Sequence, residues 1–540
     1  MKTHLLFFKV KLLVCFAVLI STITYAQDPP QYGTPFSGVP DPRDVSIYEV
    51  NMRCFSPSRD FQGVIDRLDS IKALGVNVIY LMPVYPVGTL NAFNSPYCIQ
   101  DYYSVGSEFG TLTDLRNLID GAHNRGMAVI LDWVANHTSW DNAWITDHKS
   151  WYLQDGSGNI LTPPGQPWTD VAQLNFSNDT MRSTMIDAMR FWVFTANCDG
   201  FRCDYANGPP ANFWSQAISS LRSITTHKLL LFAEGDGGAL YTSGFDYTFS
   251  WNFYNNIKLI KKGSSATLID NSNSVDYSGA TGTKQVVRWL SNHDVYGSDS
   301  SAFIVFGGKA FTMAAFVVTA YMKSVPFIYN GMEVGNTVAM PFPFTSTVIN
   351  WTEDASVTPE MTKIITFRDS SIAIRRGALT SYDNADVCAF KKVTETESVV
   401  VFVNLRNAEK NFTLPSGIAN KTLNDAFTNA SVSLGSSITL SAYEYKVYKT
   451  NESLTSVNDL TSNPSIVSPN PSEDGLIHIN LAGAISNAEV NVFDVQGRNV
   501  YETVLSSSVN TLDLSGLTKG LYIVNINSYN QVVNQKLIIK

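Results

Sequence analysis

Three carboxylates stand at comparable places in the sequence: Asp204 closes GFRCD (Gly200 to Asp204), Glu234 lies in FAEGD, and Asp294 ends SNHD. Each closes or follows a short apolar run that reads as a β-strand. Acidic side chains at the C-terminal ends of parallel strands can converge on one substrate although they are distant in sequence. Hydrolysis of a glycosidic bond needs that convergence. One acid protonates the leaving oxygen and a carboxylate meets the oxocarbenium-like carbon, the two being about 5 to 5.5 Å apart where the carboxylate attacks. Arg202, two residues before Asp204 on the same side of its strand, is expected to lower the pKa of Asp204 and keep it nucleophilic. Partial burial at the end of a strongly apolar strand is expected to raise Glu234 into the general-acid range. Asp294, beside His293, is positioned to hold sugar hydroxyls and add negative charge in the transition state.

Those strand ends require a scaffold, and the apolar runs supply one. Ser46 to Val50, Asn77 to Met82, Ala128 to Val134, Phe201 to Asp204, Leu229 to Glu234, Phe245 to Phe249, Val286 to Leu290 and Phe327 to Tyr329 read as strands. Amphipathic Phe61 to Leu74, Leu112 to Asn124 and Thr180 to Ala196 read as helices between them. Central strands apolar on both faces belong in a parallel sheet covered by helices, so the alternation predicts an α/β fold, a (β/α)8 TIM barrel. An open doubly wound sheet is the alternative, but no glycine-rich phosphate loop follows the first strand. After Arg376 short strands predict an antiparallel β-sandwich, and a second small β-sandwich ends the chain. The expected organisation is a leader at 1–26, a barrel over 27–376 with an inserted segment at 138–175, and a sandwich over 377–450. A linker rich in Ser, Thr, Asn and Pro at 451–464 and a C-terminal module at 465–540 follow.

The leader has Lys2, Lys9 and Lys11, an apolar run from Leu12 to Ile23, and Thr24-Tyr25-Ala26 before Gln27, the pattern of a secretory signal peptide. The run falls short of the roughly 20 apolar residues of a membrane span. Its removal takes the formal charge from −9 to −12, which disfavours nucleic acid or an anionic membrane as partner and suits a neutral substrate. Cys15 leaves with the leader, and the remaining Cys54, Cys98, Cys198, Cys203 and Cys388 are an odd set, expected to be buried free thiols.

DWVANH (Asp132 to His137), GFRCD, FAEGD and SNHD resemble the four ordered conserved regions of the α-amylase family, glycoside hydrolase family 13. GVNVIYLMPVYP, VAQLNFSN and VPFIYNGMEVG are similar to its supporting regions, and the resemblance runs from Ile47 to about Tyr448. It implies Asp204 as nucleophile, Glu234 as acid/base and Asp294 as transition-state stabiliser. Arg202 would orient the nucleophile, His137 and His293 would bond hydroxyls of the reacting sugar, and Tyr97 would stack on its ring. The implied protein is a secreted, monomeric, retaining α-amylase cleaving α-1,4 bonds of starch or related α-glucans. Neopullulanase, cyclomaltodextrinase or α-glucosidase activity on malto-oligosaccharides is the alternative. A non-catalytic glucan-binding protein is the second, against which stands the presence of all three acids. No organic cofactor is implied. The family's calcium (Ca2+) site is matched by Asn136 alone. Gln173 stands where an aspartate is usual, and Asn207 and Gly208 where many members have lysine and histidine. One neutral oxygen makes a weak site for a cation that takes six or more oxygens. SPNPSEDG, VFDVQGR, LDLSGLTKGLYIV and the terminal KLIIK resemble the C-terminal sorting domain of type IX secretion cargo. That resemblance implies the secretion machinery as a partner and a secreted or cell-surface location; a plain accessory β-sandwich is the other reading.

Overall fold

The computed structural model describes residues 28–454, 467–480, 488–505, 509–528 and 531–540. The expected leader and most of the expected linker lie outside the described residues. Eight strands close into a barrel. In chain order they are β1 (Ile47–Val50), β2 (Val78–Leu81), β3 (Ala128–Trp133), β4 (Gly200–Cys203), β5 (Leu230–Ala233), β6 (Tyr247–Phe249), β7 (Gln285–Trp289) and β8 (Val325–Tyr329). Each is parallel to its successor, and β8 returns to β1 with Phe327 opposite Ile47. Apart from Gln285, every strand residue is buried, which is why the sequence shows continuous apolar runs rather than alternation.

Local chemistry sets the helices that frame these strands. Helix Leu112–His123 begins at Thr111, where the threonine hydroxyl accepts from Asp114 N and the Asp114 carboxylate accepts from Thr111 N, a reciprocal cap. It buries Leu115, Leu118, Ile119 and Ala122, one face of a 3.6-residue period. The stretch expected as one helix from Phe61 to Leu74 is two, Phe61–Ile65 and Leu68–Ala73. Arg67 leaves helical geometry between them, and its guanidinium lies 3.6 Å over the Trp351 ring, a tertiary contact that overrides local propensity. Helix Asp179–Ala196 ends at Asn197, which is left-handed at φ 59°. Gly200 then opens β4 at φ 141°, where an added Cβ would meet Leu230 O of β5 at 1.9 Å. Only glycine lets β4 enter the sheet at the register that delivers Arg202 and Asp204 to the barrel mouth.

The described residues through Leu454 form one compact unit. Within it a six-stranded antiparallel sheet, opening at Ala378–Tyr382, faces a two-stranded one made of Lys410–Thr413 and Ser437–Leu440. Val400, Phe402, Phe412 and Leu440 lie in the core between them. Arg406 fastens this sandwich to the barrel helices by donating to Ile260 O at 2.9 Å and Ser264 O at 2.7 Å. The second unit, Thr455–Lys540, has a three-stranded and a four-stranded antiparallel sheet over its own core, including Ile477, Val490, Val524 and Leu537. Cys54, Cys98, Cys198, Cys203 and Cys388 are all free and buried. Among the described residues no helix is long and apolar enough to cross a membrane.

Candidate active site

Arg202, on β4 and almost fully buried, organises the barrel mouth. Its Nη1 donates to both oxygens of Asp132 at 2.9 and 3.0 Å and to Asp204 Oδ1 at 3.0 Å, while Nη2 pairs with Glu234 Oε2 at 2.9 Å. Three carboxylates from the ends of β3, β4 and β5 therefore share one guanidinium. Glu234 Oε2 also accepts from Tyr205 N at 2.9 Å. One positive charge cannot offset three negative ones, and Asp204 registers the deficit. Burial first, then Glu234, Asp132 and Asp294, push its carboxyl well above the usual 3.8, with Arg202 opposing. Arg202 lowers Asp204 as expected, but burial and the neighbouring acids outweigh it, so the net shift is upward rather than downward.

Asp132 is held by side chains: besides Arg202, Tyr80 donates to Oδ2 at 2.5 Å and Tyr97 at 3.0 Å. Asp294 lies five residues past β7, in the first turn of helix His293–Ser298, which Asn292 caps by accepting from Val295 N at 2.9 Å. It is 44% exposed to the cleft. Burial of its inner side raises its pKa, but the His293 imidazole at 3.3 Å outweighs that and holds it below the ordinary value.

The two histidines differ in charge. His137 is buried without an acid partner; burial pushes it down to about 4, leaving it neutral, with Nδ1 3.2 Å from the Asn136 amide nitrogen. His293 has Glu49 at 2.5 Å on Nδ1 and Tyr97 Oη at 2.8 Å on Nε2. Burial alone would lower it, yet Asp294 and Glu49 raise it well above 6.5. The Tyr97 ring stacks on His293 at 5.5 Å.

These groups face a cleft of 340 Å³, within the size range of small-molecule sites. Asp204, Glu234, Asp294, Tyr97, His137 and His293 line it, and Arg202 lies beneath. Of the aromatic residues of the inserted segment, Trp168 reaches the cleft, edge-on to Tyr205 at 5.0 Å, whereas Trp151 and Tyr152 are buried in the segment's own packing. A larger hollow of 530 Å³, lined by Asp270, Lys323 and Lys392, contains none of these residues.

A family model described as alpha amylase, catalytic domain, matches residues 48–159, the span that carries β1 to β3 and the tyrosine and histidine of this site. Over that span the chain resembles the α-amylase family. The match supports a glycoside hydrolase, and residues 467–540 match the secretion system C-terminal sorting domain, which identifies the last unit as a type IX sorting domain. Alpha-amylase 3 of Dictyoglomus thermophilum is 24% identical over 493 residues, covering 77% of this chain and 94% of that protein. The cyclomaltodextrinase of Thermoanaerobacter pseudethanolicus is 25% identical over 376 residues, covering 64% and 63%. The solved structure of an alpha-amylase from Lactobacillus plantarum superposes with a TM-score of 0.68 at 25% identity, covering 76% of this chain and 99% of that one.

The residues at the family's calcium position do not fit the ion. Asn136 Nδ2 donates to Gln173 Oε1 at 3.1 Å, and Gln173 Nε2 donates back to Asn136 O at 3.0 Å and Oδ1 at 3.3 Å. The amide oxygens are thus taken up by amide hydrogens. Gly208 closes over the pair, since a Cβ there would lie 2.7 Å from Asn136 Oδ1. Among the described residues no cluster of three or more His, Cys, Asp or Glu could hold a metal ion. A hard cation seeking six or more oxygens finds a neutral clasp instead.

Sequence reasoning missed Glu49, although an acid inside the apolar strand SIYEV is a signal of a buried partner. It also missed Phe93 and Phe342, which rim the cleft and are 61% and 49% exposed. They come from loops whose convergence no local pattern reports.

Proposed function

We propose that the protein is a secreted, retaining hydrolase of α-1,4-glucosidic bonds in starch and related α-glucans, an α-amylase. The observation that carries this reading is the sharing of Arg202 by Asp204 and Glu234, which holds both carboxylates on one guanidinium at the floor of an open cleft. That proximity suits the ~5 Å spacing of a nucleophile and an acid/base that flank the scissile bond rather than the wider gap that admits a water. Asp204 attacks the anomeric carbon, Glu234 protonates the leaving oxygen and later activates water, and Asp294 stabilises the positive charge that develops. Tyr97 stacks on the reacting ring, and His137 and His293 donate to its hydroxyls. The exposed rims of Phe93, Trp168 and Phe342 offer apolar faces to flanking sugars. Similarity to a cyclomaltodextrinase as well as to alpha-amylases makes action on short malto-oligosaccharides the alternative.

Two inversions at one carbon cancel, so the first product should carry the α configuration of the substrate. Proton NMR in the first minutes of starch hydrolysis reads it directly, and an initial β signal would reject Asp204 as nucleophile. Chromatography of the same early samples separates internal cleavage, which gives a spread of oligosaccharides, from release of one short product.

We further propose that the barrel works without calcium, the Asn136–Gln173 clasp doing the ion's structural work. Prolonged dialysis against a chelator should leave the melting temperature within about 2 °C and activity unchanged. A fall of ~5 °C or more, several kcal/mol for a unit of this size, restored by calcium, would refute it. The sorting domain supports export to the cell surface or medium, by way of the periplasm if the leader is a signal peptide.

A further inference from the structure

Strand β1 puts a carboxylate into a wall that is otherwise apolar. Glu49 is fully buried, registered between Tyr80 of β2 and Tyr329 of β8, and its Oε1 accepts from His293 Nδ1 at 2.5 Å. Its Oε2 has no hydrogen-bond partner. A buried carboxylate in that state persists only where an opposite charge compensates it.

His293 is the group that can do so. Its Nδ1 faces Glu49, and its Nε2 faces Tyr97 Oη at 2.8 Å and Asp294 Oδ1 at 3.3 Å. Tyr97 Oη in turn donates its own hydrogen to Asp132 Oδ2 at 3.0 Å, so it can only accept from the imidazole. Nε2 therefore carries hydrogen, and with an ionised Glu49 accepting at Nδ1 both ring nitrogens do, which is the imidazolium. The other titratable groups around the pair are Tyr80 from β2, Tyr97 from the loop after it, Asp132 from β3, Arg202 and Asp204 from β4, and Tyr329 from β8. Arg202 is already committed to Asp132, Asp204 and Glu234.

We propose that Glu49 is a positioning residue for catalysis: it holds His293 as an imidazolium whose Nε2 fixes the Tyr97 hydroxyl and keeps Asp294 ionised beside the reacting sugar. The proposal rests on the reading that Tyr97 and Asp294 meet the reacting sugar.

The test is Glu49→Gln, which keeps the shape and an acceptor but removes the charge. Loss of the counter-charge lowers the pKa of His293, so its proton is lost at lower pH and the alkaline limb of kcat moves toward acid. We expect kcat on a soluble α-glucan to fall about 10- to 100-fold at neutral pH with KM little changed, and the limb to move by about one pH unit or more. Histidine labelled at Cε1 gives the direct readout, the His293 resonance being assigned by its absence in His293→Asn. It should remain imidazolium through neutral pH in the native enzyme and titrate lower in Glu49→Gln. Loss of activity with an unmoved limb and an unmoved His293 titration would reduce Glu49 to a packing residue. If Glu49→Gln does not fold, the native titration decides alone: a neutral His293 at pH 7 overturns the proposal. If the native enzyme hydrolyses no α-glucan, that failure belongs to the substrate reading, and the His293 resonance still decides the Glu49–His293 pair.

Discussion

Asp204→Asn should cut turnover of α-glucans by at least about a thousandfold while the melting temperature at neutral pH holds or rises. The neutral amide lacks the carboxylate charge that drives attack on the anomeric carbon and cannot form the glycosyl ester, and a thousandfold loss amounts to only ~4 kcal/mol of barrier. The stability half of the prediction follows from the electrostatics. Asp204 is raised in the folded protein, first by burial and then by Glu234, Asp132 and Asp294. A carboxyl whose folded pKa lies above its unfolded value is best tolerated protonated, and its favourable contribution is lost as pH rises through the folded pKa. At pH 7 the charge is therefore a burden that asparagine removes, while its side-chain oxygen can still accept from Arg202. Single-turnover and steady-state rates with thermal unfolding of the same preparation check both halves. A variant that keeps more than about a thousandth of native kcat would take the nucleophile role away from Asp204. A variant that loses activity by unfolding would say instead that the Asp204–Arg202 pair supports the barrel.

The barrel was legible because its strands are buried on both faces. Continuous apolar runs such as NVIYLM and LLLFAE are too short to span a membrane as helices and pack as strands buried on both faces, and the acids at their ends stand where a barrel gathers its chemistry. What was not legible depends on groups meeting across the fold. The pairing of Glu49 with His293 joins residues 244 positions apart. Arg202 could be read as a partner of Asp204 from their spacing, but the burial of Asp204 and the crowding of Asp132 and Glu234 onto the same guanidinium could not, and burial first, then those acids, reverse the expected direction for Asp204. Gln173 was visible as a departure from the calcium pattern. That it turns its amide back onto Asn136 is a statement about rotamers, which sequence does not carry. The break at Arg67 has the same origin, since Trp351 reaches it from the far end of the barrel sequence.

Glu234→Gln should discriminate between leaving groups. Starch leaves as a sugar hydroxyl that must be protonated as the bond breaks, whereas an activated aryl α-glycoside leaves as a stabilised phenolate that needs little help. Glutamine can accept from Tyr205 N and Arg202 as glutamate does, so the cradle that orients residue 234 should survive. What is lost is the transferable proton. Cleavage of starch should fall by about 100-fold or more relative to cleavage of the aryl substrate, the usual worth of a positioned general acid. The comparison is internal to one variant, so any general damage to the cleft cancels in the ratio. Equal losses on both substrates would mean that Glu234 serves the site as a partner of Arg202 and that the proton comes from elsewhere. Of the two other acids read as catalytic, Asp294 is held below its ordinary value by His293 and is poorly suited to donate. Asp204, raised by its surroundings, would then have to be reconsidered as the acid. The ratio measured on Glu234→Gln is therefore the measurement that separates the two carboxylates sharing Arg202, which neither their positions at the ends of β4 and β5 nor their common partner distinguishes.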